Sequence, residues 1–377
     1  MQAIRSAVPI LLLVRELGAG GSERQLTEIA KALDKARFEV HVGYFREGMR
    51  CAELTDAGIR TLKIGVTSFR KPEAVREALH LGGYLRAHRI MIVHTFDYPL
   101  TCFGVPVARA FGVPVVLSSQ RGHRELIPAS YRPLVRATDL LADGIVVNCH
   151  EMELHLFRDE DVPRRKIRLC YNGIDTDRYS PSSPPARTYE KAVTAGCVSV
   201  LRREKNLGLL LKAFSELAEC CPELRLLIVG SGPEESTLRE LAHQLGLGNR
   251  FSLRSAQNDV VSALREIDIF VLPSLTEALS NSLMEAMACG CAVIASAVGG
   301  NPELVDPERT GLLFENGNLR DLTDKIKRLV RDDALRKWLG INARQFIERQ
   351  FSLERASRSM EEIYGDFLTQ STERAVT

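Results

Sequence analysis

The residues best suited to chemistry fall in one stretch, 273–290, which reads Pro273-Ser-Leu-Thr-Glu277-Ala-Leu279-Ser280-Asn281-Ser-Leu-Met-Glu285-Ala-Met-Ala-Cys-Gly290. The residue types predict a strand ending at Leu272, then a polar loop, then a helix opened by Ser280 or Asn281 and stopped at Gly290. Glu277 then stands on the loop and Glu285 inside the helix. A carboxylate in such a place can accept from two vicinal hydroxyls, as on a ribose or a hexose. The amides of Leu279, Ser280 and Asn281 fall where the first helical turn leaves its donors without intrahelical partners and its dipole positive, which suits anionic oxygens. The plainer alternative is that Ser280 is only a cap and Glu285 a surface charge.

Three further loops carry compatible chemistry. Leu201-Arg202-Arg203-Glu-Lys205 follows an apolar run ending at Val200, so its cations lie where a strand ends and can neutralise a phosphate. Gly230-Ser-Gly-Pro233 ends the next apolar run, and its glycines permit either close approach to a ligand or a tight turn. Gly299-Gly300-Asn-Pro-Glu303 ends another and opens a short helical turn. Four loops on one sheet edge with anion or hydroxyl chemistry outweigh the plain reading of any one.

The elements that must position them alternate. Short Val/Ile/Leu runs are separated by amphipathic stretches, the pattern of βαβ units around a parallel sheet, and it occurs twice. It predicts strands over 10–14, 39–44, 60–64, 90–94, 113–117, 144–147 and 167–171, with helices such as 22–33 and 72–88. After a proline-rich segment at 180–186 come strands over 195–200, 224–229, 250–253, 267–272 and 292–295, helices such as 207–219 and 234–245, and a helical tail over 319–339 and 353–368. At 377 residues the chain exceeds the ~250 to 300 that one core usually organises, so two domains are expected. Hydrophobic and charged contents of 45% and 26% exclude a disordered or fibrous chain. No run approaches the ~20 apolar residues of a membrane span, and no secretory signal is recognised. A net charge of +2 is too near balance for nucleic acid as main partner. Residues 1–180 hold 26 basic and 21 acidic side chains, a mild excess compatible with an anionic ligand or surface. Nine cysteines without zinc-type spacing read as reduced thiols of a cytoplasmic protein.

Taken in order, these segments resemble glycosyltransferase family 4, retaining nucleotide-sugar-dependent enzymes of the GT-B fold. The resemblance covers nearly the whole chain and is densest from 193 to 311. It rests on Glu277 and Glu285 with the Ala-Met-Ala-Cys-Gly that follows, on Val298-Gly-Gly-Asn-Pro-Glu-Leu-Val, on Lys205, on Val229-Gly-Ser-Gly-Pro and on Tyr171-Asn-Gly-Ile-Asp175. It implies an α/β architecture of two doubly wound Rossmann-like domains facing a central cleft. The expected boundaries are an acceptor-side domain at 1–180, a linker at 181–190, a nucleotide-sugar domain at 191–345, and a C-terminal helix at 346–377 crossing back to the first.

For the site, the resemblance implies that Lys205 and Arg202 meet the donor diphosphate with Gly230 and the Leu279, Ser280 and Asn281 amides, that Glu277 holds the donor sugar and that Glu285 holds the ribose. Arg202 is preferred because Val200 stands where many members have an arginine. Gly20-Gly21 resembles the family's glycine loop, which the resemblance implies approaches the donor diphosphate and the acceptor side of the cleft. The competing dinucleotide fingerprint fails at its third glycine position, Glu23. His94 resembles a histidine near the reacting sugar, although Phe96 replaces the second histidine that many members carry, and a lone histidine at a strand end is also a common structural feature. Asp97, Arg121 and His123 are candidates for the acceptor pocket. The implied reaction moves a sugar from a UDP- or GDP-sugar to a hydroxyl of a sugar or lipid-linked glycan with retention, in cell-surface polysaccharide or glycolipid assembly. It needs no cofactor or divalent metal and no enzyme nucleophile. Alternatives are a non-catalytic GT-B subunit that binds nucleotide-sugar or a partner, and a GT-B sugar-nucleotide epimerase. Arg164-Arg165-Lys166-Ile-Arg168 offers peripheral contact with an anionic inner membrane face.

Overall fold

The structure is a computed structural model that describes residues 7–181, 192–255 and 260–376. The expected linker at 181–190 lies, from residue 182 onward, outside the described residues. The chain divides into two compact units, the first comprising Met1–Gly173 with Leu353–Thr377, the second Ile174–Ser352.

The first unit contains strands β1 (Val8–Glu16), β2 (Phe38–Arg46), β3 (Arg60–Lys63), β4 (Ile92–Thr95), β5 (Val115–Gln120), β6 (Gly144–Val147) and β7 (Ile167–Leu169). Between them run helices α1 (Gly21–Ala32), α2 (Arg50–Asp56), α3 (Glu73–Ala87), α4 (Tyr98–Ala110), α5 (Arg132–Leu141) and α6 (His150–Arg158). The second unit contains β8 (Val193–Val198), β9 (Leu224–Val229), β10 (Phe251–Arg254), β11 (Ile269–Leu272), β12 (Ala292–Ser296) and β13 (Leu312–Phe314). Its helices are α7 (Leu207–Leu217), α8 (Glu235–Gln244), α9 (Val260–Arg265), α10 (Asn281–Ala288), α11 (Asn301–Leu304), α12 (Leu319–Arg331) and α13 (Asp333–Gln350), after which α14 (Leu353–Val376) belongs to the first unit.

Both sheets are parallel, ordered β3-β2-β1-β4-β5-β6-β7 and β10-β9-β8-β11-β12-β13. Strands buried on both faces need apolar residues at every position. In β1, Ile10, Leu12 and Val14 enter one core layer while Leu11 and Leu13 enter the other, as successive side chains on a strand must. Each such side chain withdrawn from water contributes about 1.5–3 kcal/mol before entropy is counted. In both sheets the strand order reverses once, between β1 and β4 and between β8 and β11. Loops leaving the carboxyl ends of the two strands at such a point diverge and leave a crevice for ligands.

Helix α14 completes the first core. Met360, Ile363, Tyr364 and Phe367, spaced by three and four, lie among the buried residues of β1, β2 and α1. The chain passes between units at Gly173/Ile174 and Ser352/Leu353, against the expected 180 and 345, because residues 174–180 are fastened to the second unit. Arg344 on α13 donates to the Tyr179 and Ala288 carbonyls, and Arg265 donates to the Ser180 carbonyl.

Two expectations need correction. The helix foreseen over 319–339 is broken at Asp332, whose side chain accepts from the Leu335 amide at 2.8 Å and starts α13. An N-cap of this kind competes with helix continuation, and apolar spacing alone does not register it. Strand β13 was not foreseen, since three residues show no periodicity.

Candidate functional site

In the second unit the loops after β8 and β11 flank the reversal point. After β8 the backbone makes a single 3-10 turn at Arg203–Lys205, and Asn206 (φ 50°), a residue that tolerates the left-handed region, turns the chain into α7. After β11 the loop is pinned from two sides. The Leu275 amide donates to the Glu204 carbonyl at 2.8 Å, and the Gly300 amide donates to the Ala278 carbonyl at 2.7 Å. Lys205 Nζ thereby reaches Glu277 Oε1 at 2.5 Å, and Ser274 Oγ donates to the same oxygen at 2.7 Å. Both charged side chains are largely buried.

The support beneath this pair was not visible in the sequence. Ser296 Oγ, at the end of β12, donates to the Ser274 carbonyl at 2.6 Å, and Asn301 Nδ2 donates to the Ser296 carbonyl at 3.0 Å. Gly299 has φ +53°, and a side chain there would run into the Glu277 carbonyl. Cys197 lies close enough to feel both charges; burial pushes its thiol up to about 12, so it is not a thiolate at neutral pH.

Ser280 caps α10, accepting from the Leu283 amide, and Leu279 and Ser280 are buried with Asn281 as the first helical residue. Glu285, on α10, is only 1% exposed, which excludes its reading as a surface charge. Arg202 projects outward with its nearest acid, Glu204, at 3.9 Å. Packing requires glycine at 230 and 232: a side chain at Gly230 would strike the Ser199 carbonyl, and one at Gly232 would strike that of Leu201. The absent Cβ at Gly230 therefore makes room for the β8 loop.

In the first unit, Gly20 caps α1 and Gly21 begins it. A side chain at Gly20 would meet the Glu23 carboxylate, whose pKa is raised by burial and then by Glu16. Asp97 caps α4, its Oδ1 accepting from the Leu100 amide at 3.1 Å and its Oδ2 from the Arg15 amide at 2.5 Å. Burial nevertheless holds its carboxyl up at about 6.

His94 is corrected from a catalytic to a structural residue. It is fully buried, with Nδ1 2.9 Å from the Tyr364 hydroxyl and Nε2 2.9 Å from Ser119 Oγ, so neither nitrogen is left for a substrate. Burial, with Arg121 nearby, drives its pKa well down and keeps the ring neutral. The pair fastens α14 to the sheet. No local signal reveals a partner 270 residues away.

Arg121 and His123 line a cavity of about 190 Å³ beyond the carboxyl ends of β4 and β5, with Ser22, Phe96, Asp97 and Ser119 among its walls. His123 packs edge-to-face on His155 at 4.9 Å, and burial followed by that neighbour lowers its pKa. No group of three or more potential metal ligands occurs among the described residues.

Comparison with known proteins agrees with this architecture. Residues 19–178 match the family described as Glycosyltransferase Family 4, and residues 182–346 match Glycosyl transferases group 1. A GDP-mannose-dependent monoacylated alpha-(1-6)-phosphatidylinositol monomannoside mannosyltransferase of Corynebacterium glutamicum is 29% identical over 265 residues, 66% of this chain and 69% of that protein. The N-acetyl-alpha-D-glucosaminyl L-malate synthase of Bacillus anthracis is 30% identical over 55% of each chain, so this chain spans about half of that relative. Among solved structures, HepE of Anabaena in complex with UDP superposes with a TM-score of 0.83 at 19% identity, covering 95% of this chain and 100% of that one. The fold, with two Rossmann-like units, is thus GT-B. The chain belongs to the glycosyltransferase family 4 group and is an enzyme of the glycosyltransferase class.

Proposed function

We propose that the second unit binds a nucleoside diphosphate sugar, UDP- or GDP-linked, and that the enzyme passes the sugar to an acceptor hydroxyl with retention at the anomeric carbon. The observation that carries this reading is the Lys205–Glu277 pair at the sheet's reversal point. An ammonium has three donors, and Glu277 takes one. An arriving diphosphate supplies a second anion to Lys205, while Glu277 remains held by Ser274 and faces the sugar hydroxyls. As the bond to phosphate breaks, negative charge grows on the leaving diphosphate, and a preorganised cation stabilises it most when it is already in place. Arg202 is exposed and can swing toward the same charge. Glu285 holds the ribose in this reading.

The departing phosphate takes the acceptor proton, so no enzyme nucleophile is called for, and Lys205 with Arg202 supplies the positive charge that a divalent metal would otherwise bring to the diphosphate. The mannosyltransferase relative is named for a phosphatidylinositol monomannoside, which supports a glycolipid acceptor handled by the first unit, whereas the synthase relative is named for a glucosaminyl L-malate, a small-molecule product. Incubation with a panel of sugar nucleotides, following nucleotide release with and without lipid-linked acceptors, tests the reading. Release that depends on acceptor is expected. Release that ignores it, or none, overturns it.

The reading includes a cytoplasmic enzyme with peripheral contact to an anionic membrane. All nine cysteines are free thiols, and no helix of the described residues is long and apolar enough to cross a membrane. Leu140, at the end of α5, is 82% exposed, and Arg164 lies over the partly exposed Phe157 ring. Lys166 does not contribute, since its ammonium caps α5 through the Asp139 and Ala142 carbonyls. Sedimentation with anionic vesicles at low salt should carry the protein down, and failure to do so retires this part.

A further inference from the structure

Two arginines three residues apart in the first unit are treated differently. Arg124 is fully buried and neutralised twice, by Asp139 at 2.6 Å and Glu160 at 3.0 Å. Arg121 has no carboxylate partner among the described residues. Its Nη1 donates to Asn172 Oδ1 at 2.7 Å, its guanidinium stacks over the Phe96 ring at 4.7 Å, and its buried Nε has no hydrogen-bond partner.

The acids that share the cavity with Arg121 are already engaged. Asp97 is bonded to two backbone amides and Asp139 to Arg124. Burial lowers the Arg121 pKa only to about 10, so the group stays charged at neutral pH. Arg121 is only partly buried, with its Nε shielded and the residue lining the cavity, and a cation so placed without a counter-ion favours an anion entering that cavity. The cavity lies at the carboxyl edge of the sheet, where doubly wound folds take ligands, and its volume equals that of roughly six waters.

We propose that this cavity is a binding site for an oxyanion, phosphate or carboxylate, carried by the acceptor, with the planar Arg121 guanidinium as its counter-ion and Ser119 and His123 on the walls. The proposal rests on the acceptor being handled by the first unit. It assigns to the acceptor a negative charge that the transferase reading alone does not require.

The test is calorimetric titration of the full chain, as wild type, Arg121→Gln and Lys205→Ala, with inorganic phosphate, with succinate and separately with UDP. At least one of the two oxyanions should bind wild type and Lys205→Ala alike and bind Arg121→Gln at least about tenfold more weakly, the scale of a charge-assisted contact, while UDP affinity is unchanged in Arg121→Gln. Oxyanion binding unchanged in Arg121→Gln, or undetectable in wild type, overturns the proposal. Failure of UDP to bind wild type counts against the donor reading and leaves the oxyanion result standing. Should Arg121→Gln not fold, a wild-type crystal soaked in tungstate decides: anomalous density beside the Arg121 guanidinium supports the site, and density at Lys205 alone, or none, overturns it.

Discussion

Lys205 and Glu277 neutralise each other, so the loss of either leaves the other charge largely buried and unpaired. Lys205→Ala removes the cation and leaves a buried carboxylate, so turnover should fall by about a hundredfold in an initial-rate assay. Both residues were legible in the sequence because each sits in a polar loop directly after an apolar run. Their contact, across 72 positions, was not. Asp97 gives a prediction in pH. Its carboxyl titrates at about 6 in the folded chain against 3.8 for the free side chain, so between those values the folded state holds a proton that the unfolded state has released. Stability from this group is complete below about pH 4 and is lost as pH rises through about 6. Urea unfolding from pH 4 to 7 should show wild type losing about 2 kcal/mol relative to Asp97→Asn over that window. A constant difference would mean that Asp97 does not titrate there. The low pKa and structural bonding of His94 depend on a helix at the far end of the chain, which is why a strand-end histidine looked catalytic.

At the level of elements, strands 144–147 and 224–229 appear with the expected bounds, and most others agree to within two or three residues at each end, because continuous Val/Ile/Leu runs have few other places to go. What sequence periodicity does not encode is the packing of one loop against another. Gly299 allows the loop after β12 to pass against the Glu277 carbonyl at φ +53°. Gly299→Ala should therefore cost about 1–3 kcal/mol in urea unfolding and weaken donor binding together, since the same displacement moves Glu277. Loss of stability with donor affinity intact would separate the two. For α14, Tyr364→Phe removes the hydroxyl that meets His94 and should cost about 1–3 kcal/mol, read as a lower urea midpoint, with UDP affinity unchanged because the pair belongs to the first unit.

For the molecule as a whole, the doubled alternation of apolar runs and amphipathic stretches predicted two parallel-sheet units, and the strand order of the second places the Lys205–Glu277 site at its reversal point, while the first unit's cavity lies beyond the carboxyl ends of β4 and β5. The ends of the units were less legible. Residues 174–180 follow the second unit through bonds from Arg344 and Arg265, two side chains far along the sequence. The central claim is that the β8 and β11 loops receive the donor. Replacing both members of the pair avoids stranding a buried charge, so Lys205→Ala combined with Glu277→Gln should leave the fold intact. The decisive measurement is equilibrium binding of UDP- and GDP-sugars to wild type and to this double variant. Binding by wild type and an affinity lower by about a hundredfold or more in the variant is the predicted result. Equal affinity in the two proteins would contradict it.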